Sequence, residues 1–100
     1  MGKYNVRGVR RGLAERAGAA QQERRMRLLI AEDDAETAAF LATELRGLGH
    51  DVVCAATGDA ALATGLESAF DLILLDRMLP GLDGLAVLQR LRAAHVRTPV

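Results

Sequence analysis

Tryptophan is absent from this 100-residue chain and aromatic residues make up only 3% of it, so a core here must be built from aliphatic side chains and alanine. Half of the residues are hydrophobic, which argues for such a core rather than for disorder. Cys54 is the only cysteine, and this excludes a disulfide framework and a CxxC metal site. No apolar run approaches the ~18 residues that a membrane-spanning helix needs. The basic start has no hydrophobic segment behind it, so it is not a secretory signal. These absences predict a soluble, cytoplasmic protein with no membrane partner. Formal net charge is also missing, but the zero hides a split. Residues 1–25 carry seven basic residues against Glu15 and Glu23, a net of +5, and residues 26–100 carry a net of −5.

One hundred residues allow at most one small domain. Residues 1–25 have four glycines and no convincing apolar periodicity, with only Leu13, Ala17 and Ala20 to bury if a helix formed near their end. They are expected to be a basic, disordered leader, or sequence ahead of a start at Met26. A nucleic-acid-binding arm or a targeting peptide is the competing reading, but basic runs are usually solvated.

From Met26 the pattern changes. "MRLLIA" is a short continuous apolar run of the kind found in strands covered on both faces. After "EDD", apolar residues recur at helical spacing as Ala38, Leu41, Ala42, Leu45 and Leu48, and Gly49 is placed to form a left-handed cap. "DVVCA" reads as a second strand. A second helix follows, with Thr57 as N-cap and Ala61, Leu62 and Leu66 on its inner face. "DLILL" reads as a third strand, and "GLAVLQRLRAAH" as a third helix buried through Leu85, Leu88, Leu91 and Val87. "TPV" opens a further extended segment. Alternating strands and helices with short connections predict an α/β fold with a parallel sheet and helices on both faces.

Two of the three strands run into acids. Strand one leads to Glu32, Asp33 and Asp34, and strand three to Asp76. Open α/β sheets bind ligands beyond the carboxyl ends of their strands, so adjacency of strands one and three would bring these carboxylates together. Two carboxylates ~4 Å apart repel by roughly 4 kcal/mol at an effective dielectric of about 20. A shared proton or a cation must relieve that. Oxygen ligands without nearby His or Cys favour Mg²⁺, and a carboxylate beside Mg²⁺ can act as a nucleophile toward phosphorus. Each acid also has an ordinary reading. Asp33 or Asp34 could cap helix one, since Asp33-Asp34-Ala35-Glu36 has capping-box spacing, and Asp34 is the preferred cap. Asp76 could simply open the Pro-Gly turn behind it. Three acids at two strand ends of one alternating pattern make the joint reading stronger than any single one.

"LLIAEDD", Asp76 placed 43 positions after Asp33, and "MLPGLDG" together strongly resemble the receiver domain of bacterial two-component response regulators. "DRMLPGLDG" is similar to the subfamily whose receivers precede a winged-helix DNA-binding domain. The resemblance covers Met26 to Val100. It implies a flavodoxin-like, doubly wound parallel sheet of order 2-1-3-4-5, here with strands one to three, helices one to three and the start of strand four. It implies a phospho-acceptor module rather than an enzyme, with Asp76 taking a phosphoryl group from a sensor histidine kinase. Mg²⁺ would be held by Glu32, Asp33, Asp76 and the backbone carbonyl of Met78. Pro80 and Gly81 would shape the loop after the acceptor, and Asp83-Gly84 would start helix three. DNA would be contacted only through an output domain outside this chain.

The chain also departs from the family pattern. The Ser or Thr at the end of strand four and the Lys at the end of strand five have no counterpart, since Thr98 lies too early and the only lysine is Lys3. The sequence thus reads as a C-terminally truncated receiver, with the outer edge of strand three open to self-association. The alternative is a truncated or degenerate receiver acting only as a protein-interaction module. A phosphatase using Asp76 would commonly place a second Asp where Met78 stands, and a flavin site would want hydroxyl and Gly-rich loops where this chain has acids. Cys54 is expected to be a small buried hydrophobe. His50 and His95 are expected at helix exits, where a cation suits the dipole.

Overall fold

The computed structural model describes residues 25–100. Residues 1–24, nearly all of the expected leader, lie outside the described residues. Three strands, β1 (Arg27–Ala31), β2 (Asp51–Ala55) and β3 (Leu72–Leu75), alternate with three helices, α1 (Ala35–Gly47), α2 (Gly58–Glu67) and α3 (Gly84–Ala93). The sheet is parallel in the order β2-β1-β3. Leu28 is in register with Val52 on one side and Leu72 on the other. The central strand is thus β1, and its side chains alternate between two cores. Leu28 and Ile30 join Met26, Leu41, Ala42, Leu45 and Val52 under α1. Leu29 and Ala31 pack on the opposite face with Ala61, Ile73, Val87 and Leu91, under α2 and α3. Burial on both faces is why "LLIA" is apolar without alternation. Truncating one of these buried leucines to alanine costs ~2–5 kcal/mol in such cores.

The helix boundaries follow their caps. Thr57 accepts from Ala60 N at 3.1 Å and Asp83 from Ala86 N at 2.9 Å, so α2 and α3 start where expected. Asp34 occupies the N-cap position of α1, but its side chain makes no cap hydrogen bond and instead accepts from the Thr37 hydroxyl. Two helices end in the same motif. After α1, Gly49 N donates to Arg46 O and His50 N to Leu45 O, with Gly49 at φ 94°. After α3, His95 N donates to Arg92 O and Val96 N to Leu91 O, and His95 holds the left-handed position at φ 65°. Both are Schellman caps, one built on glycine and one on histidine.

Several expected core positions are not buried. Leu48, Leu66 and Leu85 are about half exposed, at 47%, 49% and 50%. The buried stripe of α2 is Gly58, Ala61 and Gly65, and that of α3 is Gly84, Val87 and Leu91. Small residues bring these helices close, with Leu91 Cδ2 3.0 Å from where a Gly65 side chain would begin. The packed stripe is therefore rotated away from the bulkier leucines. Cys54 is exposed, not buried, because β2 has a neighbour on one side only. His50 overturns the dipole reading. It is buried, its Nδ1 accepts from Met26 N at 3.0 Å, and burial lowers its pKa below the ordinary 6.5 despite Asp51 and Asp71.

"TPV" runs beside β3. Pro99 O accepts from Ile73 N at 2.9 Å, and the Thr98 hydroxyl donates to Phe70 O at 3.2 Å. An open apolar groove, lined in part by Leu74, Leu75, Leu85, Leu88 and Val100, lies on that side. No helix among the described residues is long and apolar enough to cross a membrane.

Candidate metal and phospho-acceptor site

The site lies at the carboxyl edge of the sheet, and the ladder hydrogen bonds carry the backbone right up to it. Glu32 N donates to Ala55 O at 3.0 Å, which ties the residue after β1 to the end of β2. Asp76 N donates to Ala31 O at 3.0 Å, which ties the residue after β3 to the end of β1. Because β1 sits between its neighbours, the acids from two strand ends arrive side by side. Glu32, Asp33 and Asp76 each offer an oxygen, and the three oxygens lie within 4.8 Å of one another. Glu32 and Asp76 are buried, whereas Asp33 faces solvent. One open side and two fixed carboxylates suit a ligand that arrives from water.

Hydrogen bonds orient these groups. Glu32 Oε2 accepts from Asp34 N at 3.1 Å, so the residue after the pair steadies the first acid. Asp76 Oδ1 accepts from Met78 N at 3.1 Å, an Asx turn that bends the chain just past the strand. Leu79 is buried in the core while the Met78 side chain is 77% exposed. The loop is thereby pinned at Leu79, with the peptide of Met78 held beside the acceptor. Pro80 and Gly81 follow, with Gly81 at φ 77°, a left-handed turn that only glycine adopts without strain. Thr98 sits at the other end of β3 from Asp76, bonded to Phe70 O.

All the side-chain donors of the cluster are carboxylate oxygens, with no His or Cys among them. Hard oxygen donors at this spacing fit Mg²⁺, which takes one or two carboxylates and keeps several waters. An ion there would offset the repulsion of three clustered anions. One contributor, Gly58, escaped the sequence reading, and another, Gly84, was expected only to start the third helix. Gly58, at the start of α2, donates its N–H to Pro80 O at 3.1 Å, and Gly84 N donates to Arg77 O at 2.9 Å. A signal for Gly58 was present: a glycine directly after an N-cap threonine, where a side chain would ordinarily be tolerated.

The family model for the response regulator receiver domain matches residues 28–100. The chain therefore belongs to the response regulator receiver domain family. Among curated relatives it is 44% identical over 73 residues to the uncharacterised transcriptional regulatory protein YkoG of Bacillus subtilis, covering 73% of this chain and 32% of that one. The chain thus spans about a third of the length of that relative. Among solved structures, the receiver domain of Francisella response regulator 1452 superposes with a TM-score of 0.73 at 36% identity, covering 75% of this chain and 62% of that one. The response regulator TrrA from Thermotoga maritima, solved in complex with Mg²⁺ and BeF, gives a TM-score of 0.65 at 31% identity, over 68% and 59% of the two chains. The expected receiver fold, incomplete relative to a full receiver, is borne out.

Proposed function

We infer that this chain is the phospho-acceptor part of a two-component phosphorelay, with Asp76 as the acceptor. The observation that carries the reading is the meeting of Glu32, Asp33 and Asp76 within 4.8 Å at the carboxyl edge of a parallel sheet. Glu32, Asp33, Asp76 and the Met78 carbonyl would hold Mg²⁺. When bound, the ion would neutralise charge that phosphoryl oxygens bring to an already anionic site. Asp76 Oδ attacks the phosphorus of a phosphohistidine on a sensor histidine kinase. A P–O bond forms, the P–N bond breaks with its electron pair going to nitrogen, and the histidine, already protonated on its other ring nitrogen, leaves as neutral imidazole. Met78 N, on Asp76 Oδ1, orients the carboxylate for that attack. Rigid strand ends hold the nucleophile in place, which is most of what such a transfer asks of a protein.

In this reading residues 26–100 are the N-terminal part of a receiver domain, and residues 1–25 are a basic leader. The module is a substrate of its kinase rather than an enzyme, and it works in the cytoplasm. Regulation of transcription, through a winged-helix output domain, belongs to a longer protein. A binding-only module is the second reading, favoured by the lack of any lysine among residues 26–100.

Intact mass after incubation with Mg²⁺ and a small phosphodonor decides between them. The native chain should gain one phosphoryl group, and Asp76→Asn should gain none. Equal masses before and after, for both proteins, would leave only the binding module.

A further inference from the structure

The loop after Asp76 is held by two glycines that lie outside the acidic cluster. Gly84 has no room for a side chain, because a β-carbon there would overlap the backbone of Asp76 and Arg77. At Gly58 a β-carbon would overlap the Leu82 carbonyl, while its N–H donates to Pro80 O at 3.1 Å. Gly58 is the first residue of α2, and the N–H groups of a helix's first turn have no partner within the helix. Thr57 satisfies the Ala60 N–H, and the loop carbonyl of Pro80 satisfies that of Gly58. The loop and the helix start are therefore in direct backbone contact, with no flexible side chain between them to yield. Gly81 repeats the approach one step along, since a β-carbon there would come within 2.5 Å of Asp59 Oδ2.

We propose that Gly58 is a positioning residue for the metal site, clamping the acceptor loop from the start of α2 so that the Met78 peptide keeps its place beside Asp76. This rests on the Mg²⁺ reading above. The path is short. Between Asp76 and the Gly58 contact lie only Arg77, Met78 and Leu79, and Leu79 is itself anchored in the core. Any side chain at 58 must push the Pro80–Leu82 backbone outward, and the single intervening residue, Leu79, passes that shift to the Met78 peptide bonded to Asp76. A supporting group of this kind typically contributes 10–100-fold to metal affinity.

Calorimetric titration with Mg²⁺ alone, on the full 100-residue chain, tests the clamp. Gly58→Ala should weaken Mg²⁺ binding roughly 10-fold or more. Gly65→Ala is the control. It lies in the same helix and crowds Leu91 Cδ2 at 3.0 Å, so it should lower stability and leave Mg²⁺ affinity unchanged. Because Gly58→Ala can also impair folding, amide NMR shifts are followed in the unaltered chain during the same titration. The Gly58 amide should move with the Met78 amide. A Gly58→Ala protein that binds Mg²⁺ as tightly as the native chain overturns the clamp alone. So does a Gly58 amide that stays still while that of Met78 shifts, or a Gly65→Ala protein that weakens binding equally. A native chain that binds no Mg²⁺ overturns the metal-site reading and the clamp with it.

Discussion

His50 shows how one side chain can be placed by sequence and misread in chemistry. Its position after the α1 cap was legible, and the helix dipole there would favour a cation. Instead the imidazole turns inward, and Nδ1 accepts from Met26 N at 3.0 Å just ahead of the central strand. An imidazolium has no lone pair for that bond, so the fold requires the neutral form. Burial lowers the folded pKa below 6.5, with Asp51 and Asp71 opposing it less strongly. The unfolded chain therefore takes up a proton first as pH falls, and stability declines with it. Thermal midpoints should be level above about 6.5 and fall as pH drops from there toward the lowered folded value. His50→Asn puts Oδ1 where Nδ1 now accepts and does not titrate, so its midpoint should change less across that window. Parallel curves for the two proteins would remove His50 from the account. The acids, by contrast, were legible one by one. Their adjacency came only from the family resemblance and not from spacing, because it depends on β1 lying between β2 and β3.

Among the elements, ends were easier to read than faces. Thr57, Asp83 and Gly49 all serve the caps expected of them, because capping depends on one side chain and a few local backbone groups. The faces of α2 and α3 depend on each other. Their glycines and alanine allow close approach, and this turns Leu66 and Leu85 toward solvent. No spacing rule within one helix anticipates that rotation. The cap of α3 was also hidden, since a histidine rather than a glycine takes the left-handed position at φ 65°. A β-carbon in that conformation costs about 1 kcal/mol. The hydrogen bonds of the cap are backbone bonds, from His95 N and Val96 N, and they survive a change of side chain. His95→Gly should thus stabilise the protein by up to about 1 kcal/mol, less the greater freedom of glycine in the unfolded chain. A urea titration should show a higher midpoint at unchanged slope. A lower midpoint would mean that the imidazole makes a contact worth more than the strain it causes.

On the scale of the whole molecule, the two cores are unequal at their margins. β1 is sealed on both faces, but β3 keeps only Ile73 fully buried, with Leu72, Leu74 and Leu75 half-buried. Its outer edge begins to pair where Ile73 N meets Pro99 O, and beside that contact the apolar groove leaves Leu85 50% and Val100 45% exposed. The apolar run of strand three was legible in the sequence, and so was the hazard of an open edge. The groove itself was not, because it needs Leu85 and Leu88 of α3 to face the same space as Leu74 and Leu75. A strand edge next to exposed aliphatics is a template for another chain, offering backbone hydrogen bonds and apolar burial together. The 100-residue chain should therefore self-associate, with a weight-average mass in sedimentation equilibrium that rises with concentration. Leu85→Lys adds a charge at the groove on a residue already half in solvent, so it should spare the fold while lowering that association. If the native chain stays monomeric over the whole range, Pro99 and its neighbours already protect the edge, and the groove is an inert feature of the surface.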